Sequence, residues 1–294
     1  MKTLLFIYNL HAGKGRIRVQ LAEVIDRFTA AGWLVTAYPT QGRADATRVA
    51  AQLGGQYDRV VCCGGDGTFS EVVSGLLQLK EPPALGYVPS GTTNDFSRNL
   101  HLPRGMAKAA VRAAEGVLRP CDMGWFNQRP FLYVAAFGAF TDVSYGTSQE
   151  FKNLFGHMAY MMEGAARLTN LRAHPLRVEY DGQTVEGDFL YGMVSNTVSV
   201  GGFRSLPAKQ VKLDDGQFEV VLVKMPRTAA DYQSLIQSLI HQTPHGCVIG
   251  FSASRVRFVT PKPLAWTLDG EFGGAHTEAE VVVQPRAITL VHGK

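Results

Sequence analysis

Three short polar loops in the first hundred residues have the residue types and spacing that phosphate chemistry needs. Gly64-Gly65-Asp66-Gly67-Thr68 follows the apolar run Arg59 to Cys63. It precedes Phe69, Val72, Val73, Leu76 and Leu77, the spacing of one buried helical face. Glycines let the backbone approach a ligand closely and take up positive φ, and the N–H groups and dipole of a helix start favour phosphate. Asp66 would set a carboxylate beside such phosphates, to hold Mg²⁺ or orient a hydroxyl. Thr68, with Glu71 three residues on, forms a capping box. Taken alone, the segment equally suits a glycine-rich turn before a well-capped helix. Two more loops tip the reading: Asn9-Leu10-His11-Ala12-Gly13-Lys14-Gly15 after Leu4 to Tyr8, and Pro89-Ser90-Gly91-Thr92-Thr93-Asn94-Asp95-Phe96 after Leu85 to Val88. The first is no Walker loop, because the upstream glycine is missing and neither Ser nor Thr follows Lys14. Three glycine-bearing loops at the carboxyl ends of three strands exceed what ordinary connections need and point to a nucleotide or phosphate site.

The elements that must hold these loops alternate in the first 120 residues. Strand-like runs at Leu4 to Tyr8, Leu34 to Tyr38, Arg59 to Cys63 and Leu85 to Val88 are separated by helical patterns at Val19 to Phe28, Ala44 to Leu53, Phe69 to Leu77 and Met106 to Val117. That rhythm predicts βαβ units in an α/β domain with a mostly parallel sheet, residues 1–124. From residue 125 to residue 294 strand-like runs predominate: Phe131 to Phe137, Leu176 to Tyr180, Val185 to Val194, Gln217 to Val223, Val256 to Val259, Leu264 to Leu268, Val281 to Val283 and Ile288 to Val291. Asp181-Gly182 between two of them is a hairpin signal. This half reads as an antiparallel, β-sandwich-like or open-barrel domain, interrupted by helices at Phe151 to Leu168 and Ala229 to Ile240, with its last strand returning to the first domain. No repeat or low-complexity linker separates the halves, so they are expected to pack closely around a cleft.

With its downstream GTxNDF segment, the GGDGT loop resembles the soluble diacylglycerol kinase family, bacterial lipid kinases related to the eukaryotic diacylglycerol and sphingosine kinases. Lys212-Leu213-Asp214-Asp215-Gly216 and Asp269-Gly270-Glu271 extend the resemblance over nearly the whole chain. It implies ATP bound between an N-terminal nucleotide domain and a C-terminal β domain. Carried over by position, it assigns Asn9, Leu10, His11, Ala12, Gly13, Thr40, Gly65, Asp66, Gly67, Thr68, Phe69, Ser70, Glu71 and Thr92 to ATP. Glu271 is implied to be the general base for the lipid hydroxyl, with Asp66 near the transferred phosphate and Mg²⁺, and Asp122 and Asp269 completing the catalytic set. Asp215, with the main-chain carbonyls of Lys212 and Gln217, matches a structural Mg²⁺ site, a sensible donor set for a hard cation. The first loop departs from the family's Asn-Pro-x-Ser-Gly in having Leu10 and Ala12, which removes one hydroxyl contact but leaves Gly13 and the backbone donors. On pattern alone Asp269-Gly270 is an ordinary hairpin turn with Glu271 solvated. The resemblance reverses that preference.

Composition narrows the context. The chain of 294 residues is 46% hydrophobic and 18% charged, enough apolar content for a sizeable core. A net charge of +4 is too weak to argue for nucleic acid and is compatible with an anionic membrane surface. Cys62, Cys63, Cys121 and Cys247 form no CxxC pair and read as reduced residues of a cytoplasmic protein. The N-terminal apolar run is too short for a signal peptide, and no stretch has the continuous apolarity of a spanning helix. Arg104, Lys108 and Arg112 recur every four residues and read as a solvated face, with anionic lipid headgroups as the sharper alternative. Phe151, Leu154, Phe155, Met158 and Met162 form an apolar stripe read as core, with lipid entry or a subunit contact as alternatives. His11, His157 and His276 have no mutual ligand spacing. The expectation is a cytoplasmic ATP-dependent lipid kinase, most simply converting diacylglycerol to phosphatidic acid. It would visit the inner membrane surface transiently, with Mg²⁺ as cofactor and, as relatives suggest, as a homodimer. An NAD kinase sharing the GGDGT loop and a non-catalytic nucleotide- or lipid-binding regulator are the alternatives.

Overall fold

The computed structural model describes residues 1–92, 94–138, 172–197, 199–200, 203–204, 211–228, 230–231, 233–235, 237 and 246–293. The chain divides into two compact units, Met1–Met123 with Pro285–Lys294, and Gly124–Gln284. The stretch Phe151 to Leu168, with its apolar stripe, lies outside the described residues.

In the first unit β1 (Lys2–Tyr8), α1 (Ile17–Ala30), β2 (Trp33–Pro39), α2 (Asp45–Leu53), β3 (Arg59–Gly64), α3 (Asp66–Leu76), β4 (Ala84–Pro89), α4 (Phe96–Asn99) and α5 (Met106–Glu115) follow in order. The strands pair in parallel as β4-β3-β1-β2. Leu4 to Ile7 and Val60 to Cys63 are wholly buried, the continuous apolar run of a strand covered on both faces. Phe69, Val72, Val73 and Leu76 form the inward face of α3 as their spacing predicts, while Leu77, the fifth residue of that pattern, follows the helix end and is half-buried. Gly75 lets α3 meet α2, since a Cβ there would stand 2.3 Å from the Thr47 carbonyl oxygen. Behind the sheet, Arg59 donates to the carbonyls of Ala113 and Ala114 (2.9 and 3.2 Å), capping the negative end of α5.

The strand β5 (Val117–Phe126) leads into the second unit, where β6 (Arg129–Phe131), β7 (Val134–Gly138), β8 (His174–Tyr180), β9 (Gln183–Ser195), the short pair β10 (Ser199–Val200) and β11 (Phe203–Arg204), β12 (Phe218–Lys224), β13 (Val248–Ala253), β14 (Arg255–Leu268) and β15 (Glu271–His292) follow. Pairing is antiparallel, with β12 between β13 and β9, and β7 between β9 and β14. Phe126, Phe131, Phe137, Phe189, Phe218, Phe258 and Trp266 make an aromatic core. Asp181 (φ +45) and Gly182 (φ +74) form the tight β8–β9 turn.

Two pairs of runs that read separately in the sequence are each one strand. Val256 to Val259 and Leu264 to Leu268 join in β14, whose register shifts across Pro261 and Pro263. Proline donates no ladder hydrogen bond, so the first half pairs with β8 and the second with β7. Val281 to Val283 and Ile288 to Val291 join in β15, whose Leu290 pairs in parallel with Leu85 of β4 inside the first unit. Neither β5 nor β13 stands out in the sequence, because Arg119, Pro120 and Asp122 interrupt one and Gly250 the other.

Candidate active site

The three loops of the first unit lie at the carboxyl ends of adjacent strands β1, β3 and β4 and lock onto one another. Asn9 donates through Nδ2 to Thr68 Oγ1 (3.1 Å), and its Oδ1 accepts the His11 N–H (2.8 Å). The N–H groups of Ser90 and Gly91 both reach the Gly64 carbonyl (2.8 and 3.2 Å). Gly13 (φ +58) has no room for a side chain, since a Cβ would lie 2.3 Å from the Ser90 carbonyl oxygen. Gly91 is equally constrained: a Cβ would lie 2.5 Å from Gly65 Cα and 2.7 Å from Asn94 Oδ1. Gly67 is different, exposed at the start of α3 with nothing within 4 Å of where a Cβ would stand. The geometry offers backbone N–H groups at a helix start, held rigidly and approachable by an anion.

Asn94 organises the third loop from a left-handed backbone (φ +50). Its Oδ1 accepts from the Gly91 N–H (2.9 Å) and the Tyr87 hydroxyl (3.2 Å), and its Nδ2 donates to the Gly91 carbonyl (2.7 Å). The Gly64 carbonyl lies equally close to the Tyr87 hydroxyl (3.2 Å), so the two acceptors share its one hydrogen. Tyr87 is marked by no spacing in the sequence, whereas Asn94 is the asparagine of the GTxNDF segment, a residue type that tolerates positive φ in turns.

The acidic residues of this unit hold backbone. Asp66 accepts from the N–H groups of Asp95 (3.1 Å) and Phe96 (3.3 Å), tying the second loop to the third. Glu71 corrects the capping-box expectation: its carboxylate accepts from the Ala44 N–H (3.0 Å), and no side chain caps α3 at Gly65. Ala44 is held at φ +62 just before α2, so Glu71 serves a neighbouring helix, and Thr68 is used by Asn9. Asp122 is wholly buried and accepts from the N–H of Arg286 (2.7 Å; φ +52), fastening the return of β15. Phe69 is core, stacked on Tyr87 at 4.2 Å, so only its backbone is available to a ligand. Thr40 is buried at the end of β2 with its N–H on the Tyr8 carbonyl (2.9 Å). Leu10 is half-buried, Ala12 buried, Ser70 half-buried and Thr92 exposed. Burial pushes the Cys62 thiol well up and that of Cys63 up to about 12, so both stay protonated core residues.

Substituting Gly91 tests the interlock. Gly91→Ala is expected to destabilise the protein by about 1–3 kcal/mol, because loop backbone must shift where the second and third loops touch. Thermal unfolding reads it, and a wild-type melting temperature in the variant would contradict the interlock.

In the second unit Asp269 (φ +51) and Gly270 (φ +88) turn the chain from β14 into β15. Asp269 is more than a turn residue. Its Oδ2 accepts from the Leu132 N–H (2.7 Å) and its Oδ1 from those of Tyr133 (3.0 Å) and Val134 (3.1 Å). Glu271 follows, exposed, paired with Leu268 across the turn. Further along, Asp215 Oδ1 accepts the Gln217 N–H (3.1 Å) around Gly216 (φ +76), with Lys212, Asp215 and Gln217 all exposed. Glu219, two residues on, has an Oε2 that is shielded from solvent and without a hydrogen-bond partner, an orphaned acceptor that suits a cation nearby. Burial, with a smaller contribution from the Asp215 charge, pushes its carboxyl up to about 7. Among the described residues no three His, Cys, Asp or Glu side chains converge, so a cation here would draw on main-chain carbonyls as well.

Residues 3–126 match the family model described as the diacylglycerol kinase catalytic domain, and residues 138–292 that described as the YegS C-terminal NAD kinase beta sandwich-like domain. A diacylglycerol kinase of Bacillus subtilis (strain 168) is 35% identical over 277 residues, 93% of this chain and 91% of that protein. One of Staphylococcus carnosus (strain TM300) is 36% identical over 270 residues, 91% and 88% of the two chains. The crystal structure of a diacylglycerol kinase from Bacillus anthracis (strain Sterne) has the same fold, with a TM-score of 0.79 at 24% identity over 99% of this chain and 97% of that one. A further crystal structure from that strain gives a TM-score of 0.84 at 26% identity, covering 99% and 98%.

Proposed function

The chain belongs to the diacylglycerol kinase family, and on that premise we propose that it is an ATP-dependent lipid kinase that transfers the γ-phosphate to the hydroxyl of diacylglycerol, giving phosphatidic acid. The observation that carries this reading is the interlock of three glycine-bearing loops around the start of α3, a cradle of fixed N–H donors for phosphate. The first unit is the nucleotide-binding domain. Asn9, Leu10, His11, Ala12 and Gly13, then Thr40, Gly65 to Glu71 and Thr92 line the ATP site, chiefly through backbone. The side chains of Asn9, Thr68, Asp66 and Glu71 keep those segments in place.

Phosphoryl transfer asks for positioning and charge neutralisation more than covalent chemistry. Glu271 accepts the proton of the lipid hydroxyl. Asp269 is the positioning residue that fixes the turn from which Glu271 projects, and Asp122 fixes the return of β15. When bound with ATP, Mg²⁺ would supply neutralisation of phosphate charge, and Asp66 is the acidic residue of the first unit that would hold it. A second, structural Mg²⁺ would be held by Asp215 and the carbonyls of Lys212 and Gln217. No helix among the described residues is long and apolar enough to cross a membrane. In this reading the enzyme meets its substrate as a peripheral, transient visitor to the inner membrane surface, and exposed Arg104 and Lys108 suit anionic headgroups. The homodimer carried over from the family is read directly by light scattering.

Radiolabelled Mg-ATP incubated with the protein and diacylglycerol in mixed micelles is expected to label the lipid. Sphingoid bases, undecaprenol and NAD serve as parallel acceptors. Label on NAD with none on any lipid would overturn the reading in favour of an NAD kinase. ATP binding with no transfer to any acceptor would favour a regulator.

A further inference from the structure

Two buried oxygens without hydrogen-bond partners belong to directly opposed residues of β9 and β12, next along the chain to the Lys212 to Gln217 loop. Glu219 lies on β12 directly opposite Ser195 of β9, in an antiparallel register that puts both side chains on the same face. It is the face opposite the aromatic core, to which Phe218, Val220 and Val194 turn. Ser195 is wholly buried, and its Oγ has no hydrogen-bond partner. The Oε2 of Glu219 has none either. A buried oxygen left without a partner is costly, more so when charged, so two such atoms on directly opposed residues call for a bound species that serves both. Asp215 stands four residues before Glu219, at the head of a turn closed by its own Oδ1.

We propose that Glu219 and Ser195 form the inner wall of the divalent-cation seat. The ion is then held by two carboxylates, Asp215 from the loop and Glu219 from the strand, with the Ser195 hydroxyl receiving a water of its hydration shell. The proposal rests on the reading that the Lys212 to Gln217 loop binds Mg²⁺, and it adds two residues to that set. A second carboxylate suits a hard cation, whose affinity is tuned by the number of charged ligands, and the hydroxyl supplies the outer partner such sites use. The seat also adjoins the general base's support. Ser195 pairs on its other side with Val134, whose N–H is held by Asp269 at the head of the Glu271 turn.

Binding of Mn²⁺ to the full chain without ATP, followed by electron paramagnetic resonance of the free ion, tests this apart from activity, with competition by Mg²⁺ as the specificity control. Wild type is expected to bind one competable ion and Asp215→Asn to lose it. Glu219→Gln and Ser195→Ala are each expected to weaken binding by about 10- to 100-fold with unchanged circular dichroism. Wild-type affinity in both Glu219→Gln and Ser195→Ala, with loss only in Asp215→Asn, would overturn the proposal and leave the loop reading standing. Absence of a competable ion in wild type, or wild-type affinity in all three variants, would overturn both. Should Glu219→Gln fail to fold, the smaller Ser195→Ala change decides.

Discussion

Replacing Glu271 with glutamine is expected to lower kcat by about 10²- to 10⁴-fold, the range for removing a positioned general base. Glutamine keeps the size of the side chain and removes the capacity to take the hydroxyl proton. Because Glu271 is exposed at the start of β15 and glutamine keeps its size, the change should leave the melting temperature within about a degree or two. ATP affinity should also hold, since the proposed nucleotide loops belong to the other unit. Initial rates at saturating Mg-ATP over a range of diacylglycerol separate kcat from KM. A variant with wild-type kcat would remove Glu271 from the mechanism, and a variant that has lost ATP binding would assign it another role.

The second large effect is expected at Asp269, through stability as well as rate. Its two carboxylate oxygens accept three consecutive backbone N–H groups at 2.7, 3.0 and 3.1 Å. In Asp269→Asn the amide can present its oxygen to Tyr133 and Val134, but its NH₂ then opposes the N–H of Leu132, donor against donor. Losing one charge-assisted hydrogen bond and weakening two others should cost about 2–4 kcal/mol, a fall in melting temperature of roughly 5–15 °C for a unit of this size. Turnover should fall with it, because the turn that carries Glu271 loses its anchor. Calorimetry and rate measurements on the same sample check both parts. If the melting temperature dropped while kcat stayed at wild-type values, Asp269 would be structural only and not a positioning residue for the base.

The two-part architecture was legible because its signals are local. Buried strands of the first unit show as unbroken apolar runs, and the inward face of α3 shows as a periodicity within eleven residues. The β8–β9 turn was equally plain, since Asp-Gly is among the few pairs that accept positive φ twice in succession. Where local pattern and long-range pairing part, the sequence misleads. Pro261 and Pro263 divide β14 by composition, while pairing with β8 on one side and β7 on the other keeps it a single strand.

The candidate site divides along the same line. Sequence by itself determined where the glycine-bearing loops fall, because a loop after a buried strand and before an amphipathic helix is a matter of neighbours along the chain. What each acid does was decided only by the tertiary structure. Asp66 reaches residues 29 and 30 positions away, Glu71 one 27 away, Asp269 others 135 to 137 away and Asp122 one 164 away. A carboxylate takes whichever N–H groups folding brings within about 3 Å, and no spacing along the chain encodes that meeting. The same holds for Glu219 and Ser195, 24 residues apart in number and directly opposed only because β9 and β12 are paired in this register.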